Sequence, residues 1–300
     1  MEKFISMVLI MNLKNLSIED INMIDFLNYS FLQEALLVAL ILSICGSLLS
    51  PFLVLSNQGL LPHSLSHVSF TGYALGLLFF EEPLIIAIPF VIASSLVINY
   101  IKTKTNIPAD SSIGIITSIS IALGLIIIKS STSFNVSIES LLVGNVFTLR
   151  PGDILLSIII LILLVIFILK FYKPLLLLTF DPDFSTFFNK KNFLLKSLFS
   201  TLTSIFIVIG VRSIGILLIS SLILFPSSIS IQISKSFKKT IFYGIIISTL
   251  CSTLGIIISH PLNFPASSTI VVIYTLFFII SKILSKVIIK MRNTEQRKKF

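Results

Sequence analysis

Charge is scarce in this chain. Asp, Glu, Lys and Arg make up 12% of its 300 residues, about half of the roughly 25% that coats a water-soluble domain, while apolar residues make up 55%. With a mean hydropathy of +1.06, a soluble globular protein is excluded. Cysteine is scarce as well. Cys45 and Cys251 both lie in apolar runs, which excludes a disulfide framework and leaves them as small packing residues. There is no GxxxxGK[ST] run, so the chain does not hold ATP in the P-loop manner by itself. The apolar patch from Phe4 to Met11 is too short to span a membrane and has no small-residue cleavage site, so a signal peptide is not expected.

What is present is a series of long apolar runs, each near the ~20 residues that cross a bilayer as a helix. The spacing predicts nine, at about 31–55, 60–80, 83–101, 112–129, 153–172, 193–211, 213–234, 240–259 and 266–290. The sixth and seventh are parted only by Val211, Arg212 and Ser213, so eight spans remain the alternative if those two form one broken segment. The expected fold is all-α and polytopic: an extracytoplasmic segment over 1–30, a transmembrane domain over 31–290 and a basic tail over 291–300.

Net charge is +9, and its placement explains it. Nine spans put 17 of the 22 basic residues on one side: Lys102 and Lys104, the group from Lys170 to Lys196, the group from Lys235 to Lys239, and the tail from Lys282 onward. Acidic residues gather on the other side, as Glu19, Asp20 and Asp25 before the first span and Glu81–Glu82 after the second. Basic loops stay in the cytoplasm, so the N-terminus is expected outside and the C-terminus inside. Nucleic acid is a poor reading of this charge.

Chemistry concentrates in the second span. His63 and His67 are four apart, which on a helix sets both imidazoles on one face, able to chelate one divalent ion. The HExxH arrangement of zinc hydrolases also needs a glutamate beside the first histidine, and Ser64 stands there, so an intramembrane hydrolase fails for want of a base. The plain alternative is that each histidine hydrogen-bonds a neighbouring helix. Polar groups in a membrane are costly and tend to line pathways, and Ser64, Ser66, Ser69 and Thr71 around the pair favour that use. Pro62 suits a helix start or break beside a ligand site. Gly72 and Gly76 read as a packing step.

Three other stretches stand out. Asp181–Pro182–Asp183–Phe184, through Phe187, Phe188 and Asn189, reads as a short helix with an aspartate cap and its phenylalanines on one face. Such a helix suits the membrane interface or a groove on a soluble partner. Pro226 falls deep in the seventh span and is expected to kink it. His260 lies in an external turn, as a less certain metal contact.

In order along the chain, these residues resemble the membrane permeases of bacterial ABC importers for zinc and manganese. The resemblance rests on Gly59-Leu-Leu-Pro-His-Ser-Leu-Ser-His-Val-Ser-Phe-Thr-Gly72, Asp110-Ser-Ser-Ile-Gly-Ile115 with Ala122-Leu-Gly124, Leu142-Val-Gly-Asn145 through Asp153, Phe180-Asp-Pro-Asp183, and Gly215 to Pro226. It implies a permease homodimer, two cytoplasmic ATP-binding subunits and an extracytoplasmic metal-binding protein. It also implies an ATPase-coupling helix at Asp181, Pro182, Asp183, Phe184, Phe187 and Phe188. The family's metal pair is an Asp and a His four apart, aligned with His63 and His67; a second family carboxylate aligns with Asn263. Imidazole in place of carboxylate favours zinc over manganese.

The expected protein is therefore not itself an enzyme. It is the multi-pass permease, in the bacterial cytoplasmic membrane, of an ATP-driven divalent-metal importer. No permanent cofactor is expected; the metal is cargo, and ATP sits on the partner. A secondary transporter driven by a proton or sodium gradient is the alternative. It needs an ionisable relay, for which Glu34 is the one carboxylate well inside a run.

Overall fold

The computed structural model describes residues 30–79, 82–104, 108–130, 144, 151–181, 192–262 and 264–297. Among these residues the chain is entirely helical. Nine helices follow one another: α1 (Ser30–Leu55), α2 (Leu60–Phe79), α3 (Leu84–Lys104), α4 (Ala109–Ser130), α5 (Pro151–Phe180), α6 (Asn192–Ile214), α7 (Ile216–Ile233), α8 (Phe237–Ser259) and α9 (Ala266–Arg297). Eight of them are long and apolar enough to cross a membrane. The exception is α2. It matches the others in length but carries the histidines, serines and a threonine, and it is wrapped by α3, α4, α6 and α7. This is a multi-pass membrane protein with its most polar helix packed among the others.

The α6–α7 junction decides between one broken segment and two spans. Gly215 has φ +87, a left-handed conformation that glycine adopts without a Cβ clash. The chain then folds back on itself, because a Cβ placed on Gly210 would collide with the Ile219 side chain. A continuous helix would hold those two residues about 13 Å apart at 1.5 Å per residue. They are two helices.

α1 and α7 form the centre. Small residues let them approach: a Cβ on Gly46 would stand 2.7 Å from the Leu222 carbonyl oxygen. Pro226 lies inside α7, and the helix continues through it. Its irregularity is absorbed by α1, since the Ser50 hydroxyl donates to the Ile223 carbonyl and accepts from the Ser227 N–H. A freed backbone group in a membrane helix needs such a neighbour. Ser248 ties α8 to both sides, donating to the Ser43 carbonyl at 3.0 Å and pairing with the Tyr274 hydroxyl at 2.6 Å. Cys45 and Cys251 are buried and free, as their apolar surroundings implied.

α5 differs from its expected end. The apolar run stops near Tyr172, yet the helix reaches Phe180 across a kink at Phe171 (φ −110, ψ 21). Pro174 lies just beyond and withholds the N–H that would bond back to Lys170. The lysine that interrupts the run is accommodated by laying its ammonium 5.6 Å from the Phe171 ring centroid.

Helix directions give the bundle two unlike ends. Where α1, α3, α5 and α7 finish, Lys102, Lys173, Lys196, Lys235, Lys238 and Lys239 collect. At the other end are Glu82, Asp153, Arg212 and His260.

Candidate functional site

α2 begins at the basic end, after a four-residue turn in which Asn57 takes φ +57 and the Gln58 N–H bonds the Leu53 carbonyl at 2.9 Å. Pro62 sits in its first turn, where a missing N–H costs nothing. His63 and His67 follow on adjacent turns, with ring centroids 4.7 Å apart and planes at 85°. His63 is exposed and His67 half-buried. The pair occupies the face of α2 that α3, α4, α6 and α7 leave uncovered.

The rest of the helix is polar too, and Ser64 and Thr71 are turned to packing. Ser64 donates to the Ile113 carbonyl at 3.4 Å and accepts from the Thr117 hydroxyl at 2.6 Å. Thr71 donates to the Ser120 carbonyl, and Ser66 to the Pro62 carbonyl of its own helix at 2.8 Å. All three are fully buried. Ser64 and Thr71 therefore staple α2 to α4, and Ser66 bonds back within α2. Gly72 and Gly76 behave as a packing step: added Cβ atoms would lie 3.0 Å from the Ala87 Cα and 2.6 Å from the Pro83 Cα, at the start of α3.

Among the described residues no cluster of three or more His, Cys, Asp or Glu side chains is placed to hold a metal. His63 and His67 thus bring two imidazoles together without a third such side chain among the described residues. His260 does not join them. It caps the C-terminus of α8, which starts at the basic end and runs 23 residues, about 34 Å, to the other. Asn263 lies outside the described residues. So do Pro182, Asp183, Phe184, Phe187 and Phe188; Asp181 is described, exposed just after α5, with its N–H on the Leu177 carbonyl at 2.9 Å.

Sequence reasoning missed an ion-pair cluster at the end opposite the lysine-rich one. Arg212, near the end of α6, places Nε 3.0 Å from Asp153 at the start of α5 and an Nη 3.4 Å from Glu82 before α3. Asp153 is 5% exposed, so its contact with Arg212 is buried, while Glu82 joins from an exposed third segment. Gly144, at φ +74, lies against the Ile214–Gly215 backbone beside it. The only signal in sequence was the run from Leu142 to Asp153, which carries no hint that its partner is Arg212.

With this geometry in view, the comparisons are consistent. A family model described as the ABC 3 transport family matches residues 28–285. The manganese import system permease protein ScaB of Streptococcus gordonii is 30% identical over 254 residues, covering 85% of this chain and 91% of the relative. The manganese transport system membrane protein MntC of Listeria monocytogenes is 27% identical over 255 residues, covering 85% and 91%. Among solved structures, PsaBC from Streptococcus pneumoniae in complex with Fab superposes with a TM-score of 0.77 at 28% identity, covering 86% of this chain and 93% of that one. The chain belongs to the ABC 3 transport family.

Proposed function

We propose that this chain is the permease subunit of an ATP-driven importer that carries divalent metal ions across the bacterial cytoplasmic membrane. The observation that carries the reading is the uncovered face of α2, where His63 and His67 stand together while the helix's other polar groups are consumed by packing. Two imidazoles facing lipid would be costly. A second copy of the chain laid against that face relieves the cost and makes the face a wall of the pathway.

A conducted ion must bind well enough to enter and weakly enough to leave. Two imidazoles fit that need. They leave coordination positions for water or for the second copy, and no carboxylate neutralises the dication at rest. Alternating access then exposes the pair first to one side and then to the other. The lysine-rich end faces the cytoplasm by the positive-inside rule, which sets the N-terminus outside. ATP hydrolysis belongs to a cytoplasmic partner engaged by the segment from Asp181 to Phe188, and an extracytoplasmic metal-binding protein delivers the ion. The chain holds no permanent cofactor.

Zinc is the first cargo by ligand type, since imidazole suits zinc better than manganese. Manganese is the second reading, favoured by the names of the relatives. A host stripped of its own importers, given this chain with its ATPase and binding protein, tests both through elemental analysis of accumulated zinc and manganese. Wild type accumulates one of them, and His67→Ala at equal membrane abundance does not. Equal accumulation by the two would sink the site, and no accumulation of either metal by an assembled complex would sink the function.

A further inference from the structure

A cavity of about 360 Å³ opens at the basic end between the last turns of α1, α3 and α5 and the first turns of α6. Among the described residues its lining includes Lys102 and Lys196 and no carboxylate. Both lysines are half-buried and line the same cavity. Neither makes an ion pair within 4 Å among the described residues.

Positive-inside topology accounts for lysines in loops. It does not account for two like charges converging on one partly enclosed space. Taking an ammonium group out of water is costly, and a like charge beside it adds to the cost. An anion between them reverses both terms.

The rest of the wall is shaped for a guest with polar and apolar parts. Asn99 donates to the Ser200 hydroxyl at 3.0 Å, a buried pair that fixes the polar side. Gln58 is held there by the turn that precedes α2. Phe52 and Phe199, packed edge to face at 6.0 Å, supply an apolar side.

We propose that this cavity binds a phosphate group, with Lys102 and Lys196 as its charge clamp. Phosphate offers the several acceptor oxygens and the charge that two ammonium groups can share, and basic pockets between transmembrane helices on the cytoplasmic side suit anionic lipid headgroups. The mixed wall favours a phospholipid headgroup over free phosphate. The site is separate from the histidine face and does not depend on which metal is carried.

The full chain in nanodiscs provides the test, because a ligand that binds the folded state raises its apparent melting temperature. Phosphatidylcholine discs are compared with discs containing added phosphatidylglycerol, and inorganic phosphate is titrated into the phosphatidylcholine discs in parallel. The expected result is a rise with phosphatidylglycerol that falls by at least about half in Lys102→Gln/Lys196→Gln. It persists in Lys102→Arg/Lys196→Arg and in Lys239→Gln, whose lysine is exposed at the same end but outside the cavity. Should the glutamine pair not fold, Lys196→Gln alone is read against the arginine pair. A rise with inorganic phosphate alone, abolished by the same substitutions, assigns the site to soluble phosphate. No rise with either probe, or equal rises in wild type and the glutamine variant, overturns the proposal.

Discussion

The two faces of α2 are both polar and have opposite fates. On one, Ser64 finds a partner on α4 and Gly72 and Gly76 let α3 close in, so polarity and small size are converted into packing. On the other, His63 and His67 remain uncovered. A helix inside a membrane can afford polar atoms that neighbours satisfy. Polar atoms left over after packing need another explanation, and transport supplies it. On the proposed function, the contrast separates residues that hold the protein together from residues that would handle cargo, and substitutions on each face should differ in kind.

The largest effect is expected from Gly76→Leu. Its side chain must enter space held by the Pro83 backbone, which cannot retreat as a side-chain tip could. Overpacking of this sort costs about 1–3 kcal/mol, and the folded fraction recovered by size-exclusion chromatography in detergent should drop sharply, with uptake falling in proportion. His67→Ala should behave in the opposite way, with full recovery of folded protein but metal uptake down by about tenfold or more, as for loss of a group that tunes a metal site.

His63→Asp sharpens the contrast further. It places a hard carboxylate on the cargo face, so the ratio of manganese to zinc taken up in competition should rise severalfold while the melting temperature stays put. Thr117→Val is the mildest. It removes the 2.6 Å hydrogen bond to Ser64 on the packing face. Interhelical hydrogen bonds in membranes average about 0.6 kcal/mol, so a small fall in melting temperature with unchanged selectivity is expected.

Much of the architecture was legible in sequence because the bilayer imposes one length on every span. The beginnings and ends of α1, α2 and α9's start fall within a residue of the apolar runs. The end of α5 was not legible, since Lys170 and Lys173 interrupt the run although the helix continues. The histidine spacing pointed to one shared face, and the rings do stand side by side. What sequence could not say was which side of α2 meets α4, so Ser64 and Thr71 were grouped with the histidines although both bond to α4. Arg212, Asp153 and Glu82 come from segments too far apart in the chain for any local pattern to join them. The lysines of the cavity were hidden for a different reason: charge topology explained them collectively before their positions were known.

The central claim is that the uncovered histidine face of α2 touches the cargo. X-ray absorption at the zinc edge, on purified permease loaded with stoichiometric zinc, reads the ligands of the bound ion directly. Wild type should show imidazole scattering that disappears in His63→Ala/His67→Ala, with folded protein recovered in equal amount. An unchanged spectrum in that double variant would contradict the account, because the metal would then be held elsewhere.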